Sequence, residues 1–122
     1  MSAIDVIVVP DFAGPAARLF EARTLLFLGS WLEHQGASRS WPLRLACIGQ
    51  APDSVRELAR RCQAQVTSFE PLALPESYLT NKIRGLELPS QTGRVLLVDV
   101  DTLILNDLSP FLELGECLAL AP

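Results

Sequence analysis

Positive charge is scarce in this chain: ten Lys and Arg stand against fourteen Asp and Glu, a formal net charge of −4. Nonspecific nucleic-acid binding needs clustered cations that displace counterions from phosphates, and no basic stripe is present, so nucleic acid is not an expected partner. Cysteine is equally thin. Cys47, Cys62 and Cys117 are odd in number and lack metal-ligand spacing, which argues against a disulfide scaffold and favours reduced thiols packed as small hydrophobes. Long apolar runs are missing too. The greasiest stretch, residues 25–32, is closed off by Arg23 and Glu33 and falls far short of a membrane span. The amino terminus, Met1-Ser2-Ala3-Ile4-Asp5-Val6, has no basic n-region. The expectation is a soluble, cytoplasmic protein without a leader.

What is present is a chain of 122 residues, 49% of them hydrophobic, enough for one domain with a real core. Residues 4–9 form a β-branched run stopped by Pro10, as expected of a buried first strand. Pro15 suits the first turn of a long helix that should carry Leu19, Phe20, Leu26, Phe27 and Trp31 toward the core, with Gly36 as its stop and His34 at its end. Residues 43–48 read as a second strand. Ser54-Val55-Arg56-Glu57 fits a capping box that opens a helix running to about Cys62. Residues 65–69 read as a third strand, and Pro71 and Pro75 hold the following loop extended. Residues 81–88 read as a further helix, broken by Pro89, after which Gly93 turns the chain into a fourth strand.

That strand ends in the most informative feature of the chain. Arg94-Val95-Leu96-Leu97-Val98-Asp99-Val100-Asp101 is an apolar run closed by two carboxylates one residue apart. The run predicts a strand buried on both faces. An Asp-x-Asp at its carboxyl end falls where open α/β sheets bind ligands. Paired carboxylates repel one another, and a divalent metal with hard oxygen ligands, Mn or Mg, relieves that repulsion and bridges to a diphosphate. Residues 103–105 continue as a short extended piece, Ser109 and Pro110 open a helical turn ending near Gly115, and residues 117–121 read as a last strand. The alternation of apolar strands and helices predicts an α/β domain, Rossmann-like, with a mostly parallel sheet and helices on both faces. An exposed last strand would favour a homo-oligomer paired through its edge.

The segment Val98-Asp99-Val100-Asp101-Thr102-Leu103-Ile104-Leu105-Asn106-Asp107-Leu108-Ser109-Pro110-Phe111 resembles the Asp-x-Asp region of GT-A glycosyltransferases of the glycogenin-like kind. In those enzymes a hydrophobic strand, Asp-Ala-Asp, Thr-Leu-Val-Leu and a following Asp-Leu make an extended signature. Asn81-Lys82-Ile83-Arg84-Gly85-Leu86-Glu87-Leu88 is similar to the helix that precedes that strand in the family. The resemblance is specific from about residue 80 to 112 and otherwise follows element order.

The resemblance implies that residues 1–122 are the nucleotide-sugar-binding part of a metal-dependent glycosyltransferase, with no counterpart of the family's acceptor-binding half or its later metal-ligating His. Asp101 would be the principal metal ligand, and Asp99 would share the metal or hold ribose hydroxyls. Lys82 would neutralise diphosphate charge, with Arg84 a second cation, and Asp11 would lie near the base. The implied donor is a nucleoside-diphosphate sugar, most simply UDP-linked, and the acceptor and catalytic residues are undetermined. A bound metal and a Lys stabilise the two charges that develop on a departing diphosphate, which is why the reaction needs those groups.

Each residue also has a structural reading. The acidic pair could close a solvated turn, Lys82 could be a helix-surface charge, and Asp11 and Arg84 could be solvated or salt-bridged. Tyr78 could pack on the surface, and Trp31, Trp41 and Phe27 read as core. Two other functions compete: a non-catalytic nucleotide-binding, metal-binding or structural subunit, and a haloacid-dehalogenase-like phosphatase, whose Asp-x-Asp normally follows the first strand.

Overall fold

The computed structural model describes residues 3–34, 36–71, 85, 87–114 and 120–121. The chain folds as β1 (Asp5–Val8), α1 (Ala17–His34), β2 (Leu43–Ile48), α2 (Asp53–Arg61), β3 (Gln65–Phe69), β4 (Val95–Val98) and β5 (Leu120–Ala121). The 3-10 segments Gly36–Ser40 and Ser109–Leu114 lie between α1 and β2 and between β4 and β5. The strands form one sheet in the order β3-β2-β1-β4-β5. Every pairing is parallel, with Val6 opposite Leu43 and Leu96 on its two sides. The α/β, Rossmann-like parallel sheet expected from the sequence is the observed architecture.

Both faces of β1 and β2 are buried because every residue in them is. Alternation divides these side chains between two cores. Val6, Val8, Leu43, Leu45 and Cys47 face α1 and α2, where they meet Phe27, Leu28, Trp31, Val55 and Ala59. Ile7, Val9, Ala46 and Ile48 form the opposite core with Phe69, Leu88 and Leu97. Right-handed crossovers place α1 and α2 on one face, since both connections step the same way across the sheet. The crossover from β3 to β4 steps the other way, and residues 72–84 of it lie outside the described residues.

Several local expectations needed correction. In α1, Phe27 and Trp31 are fully buried, with ring centroids 6.3 Å apart, but Leu19 and Leu26 are 49% and 65% exposed. These two lie seven residues apart on the stripe turned from the sheet, so only part of the apolar content of α1 serves the core. The capping box does not form. The N-cap of α2 is Pro52, without a side-chain cap bond. Ser54 instead donates to Glu21 on α1 at 2.6 Å, and Glu57 accepts from Arg60. Asp53 in the first turn and Arg60 and Arg61 in the last still complement the dipole of α2. The strand β4 is interior to the sheet but not buried on both faces: Leu96 and Val98 are buried on one, whereas on the other Val95 is 39% exposed and Leu97 only half-buried.

Gly36 follows α1 with φ +59 and so does the work of a helix stop. The side chain of His34, Tyr78, Cys117 and most of the helix expected over residues 81–88 lie outside the described residues. No helix among the described residues is long and apolar enough to cross a membrane.

Candidate functional site

The strand order places the candidate site. From β1 the chain moves outward to β2 and β3, then returns to the other side of β1 as β4. The carboxyl ends of β1 and β4 therefore flank a topological switch point, where connections leave in opposite directions and open a crevice. The segment after β4 is Asp99-Val100-Asp101, and the segment after β1 leads to Asp11.

A tight turn sets the acidic pair. The Thr102 N–H donates to the Asp99 carbonyl at 3.0 Å, and the Val100 side chain between the two carboxylates is buried. With Val100 turned into the protein, Asp99 is half-buried and Asp101 is exposed. The chain beyond is tied down as well. Ile104 is buried and its N–H donates to Ser30 Oγ at 2.8 Å, while Asp107 Oδ1 accepts from the Ser38 N–H at 2.9 Å. Hydrogen bonds from Ser109 and then from Ser38 hold the Asp107 carboxyl below the usual carboxylate range. An added Cβ at Gly36 would come within 3.0 Å of Asp107 Cβ, so the close approach there needs glycine.

Asp11 is engaged by its own loop. Its Oδ1 accepts from the Ala13 and Gly14 N–H groups at 2.9 and 3.2 Å, the local turn that Asp side chains favour. Residue 11 also forms a parallel bridge with Ile48, so it leans toward β2 rather than β4. A cleft of about 330 Å³ opens beside it, lined by Asp11, Gly14, Pro15, Leu19, Phe20 and Arg23. Neither Asp99 nor Asp101 lines that cleft. Lys82 and Arg84 lie outside the described residues. Nearby Gly85 is described and buried: a Cβ there would stand 2.9 Å from Val9 and 3.3 Å from Leu97. The backbone at Gly85 thus crosses the face of β1 and β4 at a distance no other residue permits.

Among the described residues, no group of three or more His, Cys, Asp or Glu is placed to hold a metal ion. Asp99 and Asp101 together offer a two-residue, all-oxygen donor set. That suits Mg²⁺ or Mn²⁺, which characteristically take one or two carboxylates and complete their shell with water and substrate phosphates. The thiols have no part in such chemistry. Burial pushes Cys47 up to about 12 and Cys62 up to about 11, so neither is a nucleophile near neutrality.

A charge network at the opposite edge escaped the reading of the sequence. Asp5, fully buried in β1, pairs with buried Arg44 of β2 at 3.5 Å and accepts from the Gln91 N–H, the Thr92 N–H and the Thr92 hydroxyl. Arg44 also donates to the Pro89 carbonyl. The signal was available: one acidic and one basic residue each interrupt an otherwise apolar strand near its start. No known protein family matches this sequence, and no curated protein and no solved structure matches it.

Proposed function

We propose that this chain is the nucleotide-sugar-binding part of a metal-dependent glycosyltransferase, taking a nucleoside-diphosphate sugar, most simply UDP-linked, as donor. The single observation that carries the reading is the position of Asp99 and Asp101: two carboxylates on a tight turn at the carboxyl end of β4, beside the switch point of a parallel sheet. Asp101, the exposed member, is the principal metal ligand, and Asp99 shares the metal or holds the ribose hydroxyls. A bound Mn²⁺ or Mg²⁺ supplies charge neutralisation for the departing diphosphate.

The chain's own contribution is orientation. The Asp99–Thr102 turn and buried Val100 fix the two carboxylates relative to the sheet. Lys82, through its resemblance-based assignment, adds a cation for the diphosphate, and Arg84 a second. Asp11 has one oxygen committed to its loop, which leaves the other as its contribution near the base. The phosphatase alternative is the less well supported reading. Its nucleophile belongs after the first strand, where this chain carries Asp11-Phe12-Ala13, with one carboxylate instead of two.

Calorimetric titration of UDP in the presence and absence of Mn²⁺ tests the proposal. Binding is expected to require the metal and to be lost in Asp101→Ala. Unchanged affinity in that variant, or no UDP binding at all, would sink the assignment. Transfer or hydrolysis of a UDP-sugar then separates an enzyme from a non-catalytic binder.

A further inference from the structure

We infer that the Ser30 hydroxyl is a positioning group for the Asp99–Asp101 turn, an inference that rests on the metal-binding reading above. Ser30 lies within the buried stripe of α1, where its Oγ donates to the Phe27 carbonyl at 2.7 Å. A helical serine commonly makes such a back-bond and nothing else. Here the same oxygen also accepts the Ile104 N–H at 2.8 Å, a link across 74 residues of sequence. One hydroxyl thus joins the backbone of α1 to the chain three residues beyond Asp101.

The surroundings make that link consequential. Leu103 and Leu105 on either side are exposed, while Ile104 between them anchors the stretch with its buried side chain and its bonded N–H. Upstream, β4 pairs with β1 as far as Leu97 and with β5 as far as Val98. Downstream, the next tie to the same region of the fold is at residue 38, where Ser38 Oγ accepts from the Leu108 N–H at 3.1 Å and the Ser38 N–H donates to Asp107. Ser30 is therefore one of the ties that hold the acidic turn, beside the sheet and the buried Val100 side chain. A carboxylate that binds a small divalent ion must be held to a fraction of an ångström. Partners that orient metal ligands typically contribute tenfold or more to affinity. Ser30 acts through backbone rather than on a carboxylate, so the effect belongs at the lower end of that range.

The test is Mn²⁺ alone, titrated into the full chain and followed by the electron paramagnetic resonance of the free ion. Backbone amide exchange over residues 100–105 is measured in parallel. Ser30→Ala is expected to weaken Mn²⁺ binding about tenfold and to speed exchange in that segment. Ser30→Cys, which fills the same space with a weak acceptor, should do the same without leaving a void. Ser30→Thr, which keeps the hydroxyl, should restore both. Faster exchange or a lower melting temperature with unchanged Mn²⁺ affinity would make Ser30 purely structural and overturn the inference. Unchanged exchange would overturn it too. A wild-type chain that leaves the ion free defeats the metal reading first, and is recognised before any substitution is made.

Discussion

The two edges of this parallel sheet handle aspartate in opposite ways. At the amino edge, Asp5 is fully buried, and its oxygens are engaged by Arg44, two backbone N–H groups and the Thr92 hydroxyl. That carboxylate clasps the turn before β4 to β1 and β2, and it has no access to an outside ligand. At the carboxyl edge, Asp99 is half-buried and Asp101 exposed, on a turn whose own backbone bond and buried Val100 turn the Asp101 side chain outward. Parallel strands bring every carboxyl end to the same edge, so ligand chemistry collects there and structural charge is tolerated at the other. Burial, rather than residue type, separates an aspartate that builds the fold, such as Asp5, from an exposed one such as Asp101.

The comparison breaks most visibly at Asp5. Removing it strands a buried guanidinium whose Nε already lacks a partner, and breaking a buried pair from one side typically costs about 3–5 kcal/mol. Asp5→Ala is therefore expected to lower the unfolding free energy by about that amount in urea titrations, whereas Asp101→Ala should leave the urea midpoint nearly unmoved. Asp5→Leu combined with Arg44→Met should recover most of the loss, because neither charge is then buried alone. Equal destabilisation by Asp5→Ala and Asp101→Ala would erase the distinction between the edges.

A second perturbation asks how rigid the carboxyl edge is. Gly49 follows β2 with φ +80, and a Cβ there would stand 3.1–3.3 Å from Ala13. Left-handed backbone costs a non-glycine residue about 1–2 kcal/mol, and Ala13 belongs to the loop that Asp11 organises. Gly49→Ala should lower stability by about 1–2 kcal/mol in the same titration. A neutral result would show that the loop after β1 yields freely, and that the edge has less structural commitment than the hydrogen bonds around Asp11 imply.

The strand succession was legible because β1, β2 and β3 are bounded by strong punctuation, such as Pro10 and Gly49, and because β1 and β2 are buried on both sides. The Asp-x-Asp could be placed because a run of apolar residues that ends in charge can only end at a sheet edge. What could not be read was pairing across the fold. Ser54 and Glu57 have the spacing of a capping box, yet Glu21 and Arg60 are the partners they find. Leu19 and Leu26 obey helical periodicity, yet α1 has more apolar surface than the sheet can cover. The Asp5–Arg44 clasp joins residues 39 apart, and the Ser30–Ile104 bond joins residues still more distant. Local spacing carries no term for such contacts, so the candidate acidic turn was visible while the groups that hold it were not.

The smallest expected effect sharpens the comparison by asking whether Asp107, six residues past Asp101, belongs to the structural class or the available one. Its carboxyl is held below the usual range by hydrogen bonds from Ser109 and Ser38. A native value below the unfolded one adds stability that is fully present above the ordinary aspartate range and is lost as pH falls through the native value. Unfolding midpoints should therefore decline as the pH drops below about 4. In Asp107→Asn that part of the decline should vanish, because the amide does not titrate: the variant starts lower at neutral pH by the contribution it has lost, and converges with the unsubstituted chain as the pH falls through the native value. An unaltered acid limb would mean that the Ser38 and Ser109 bonds follow the backbone rather than the charge, and Asp107 would then stand with Asp101 instead of Asp5.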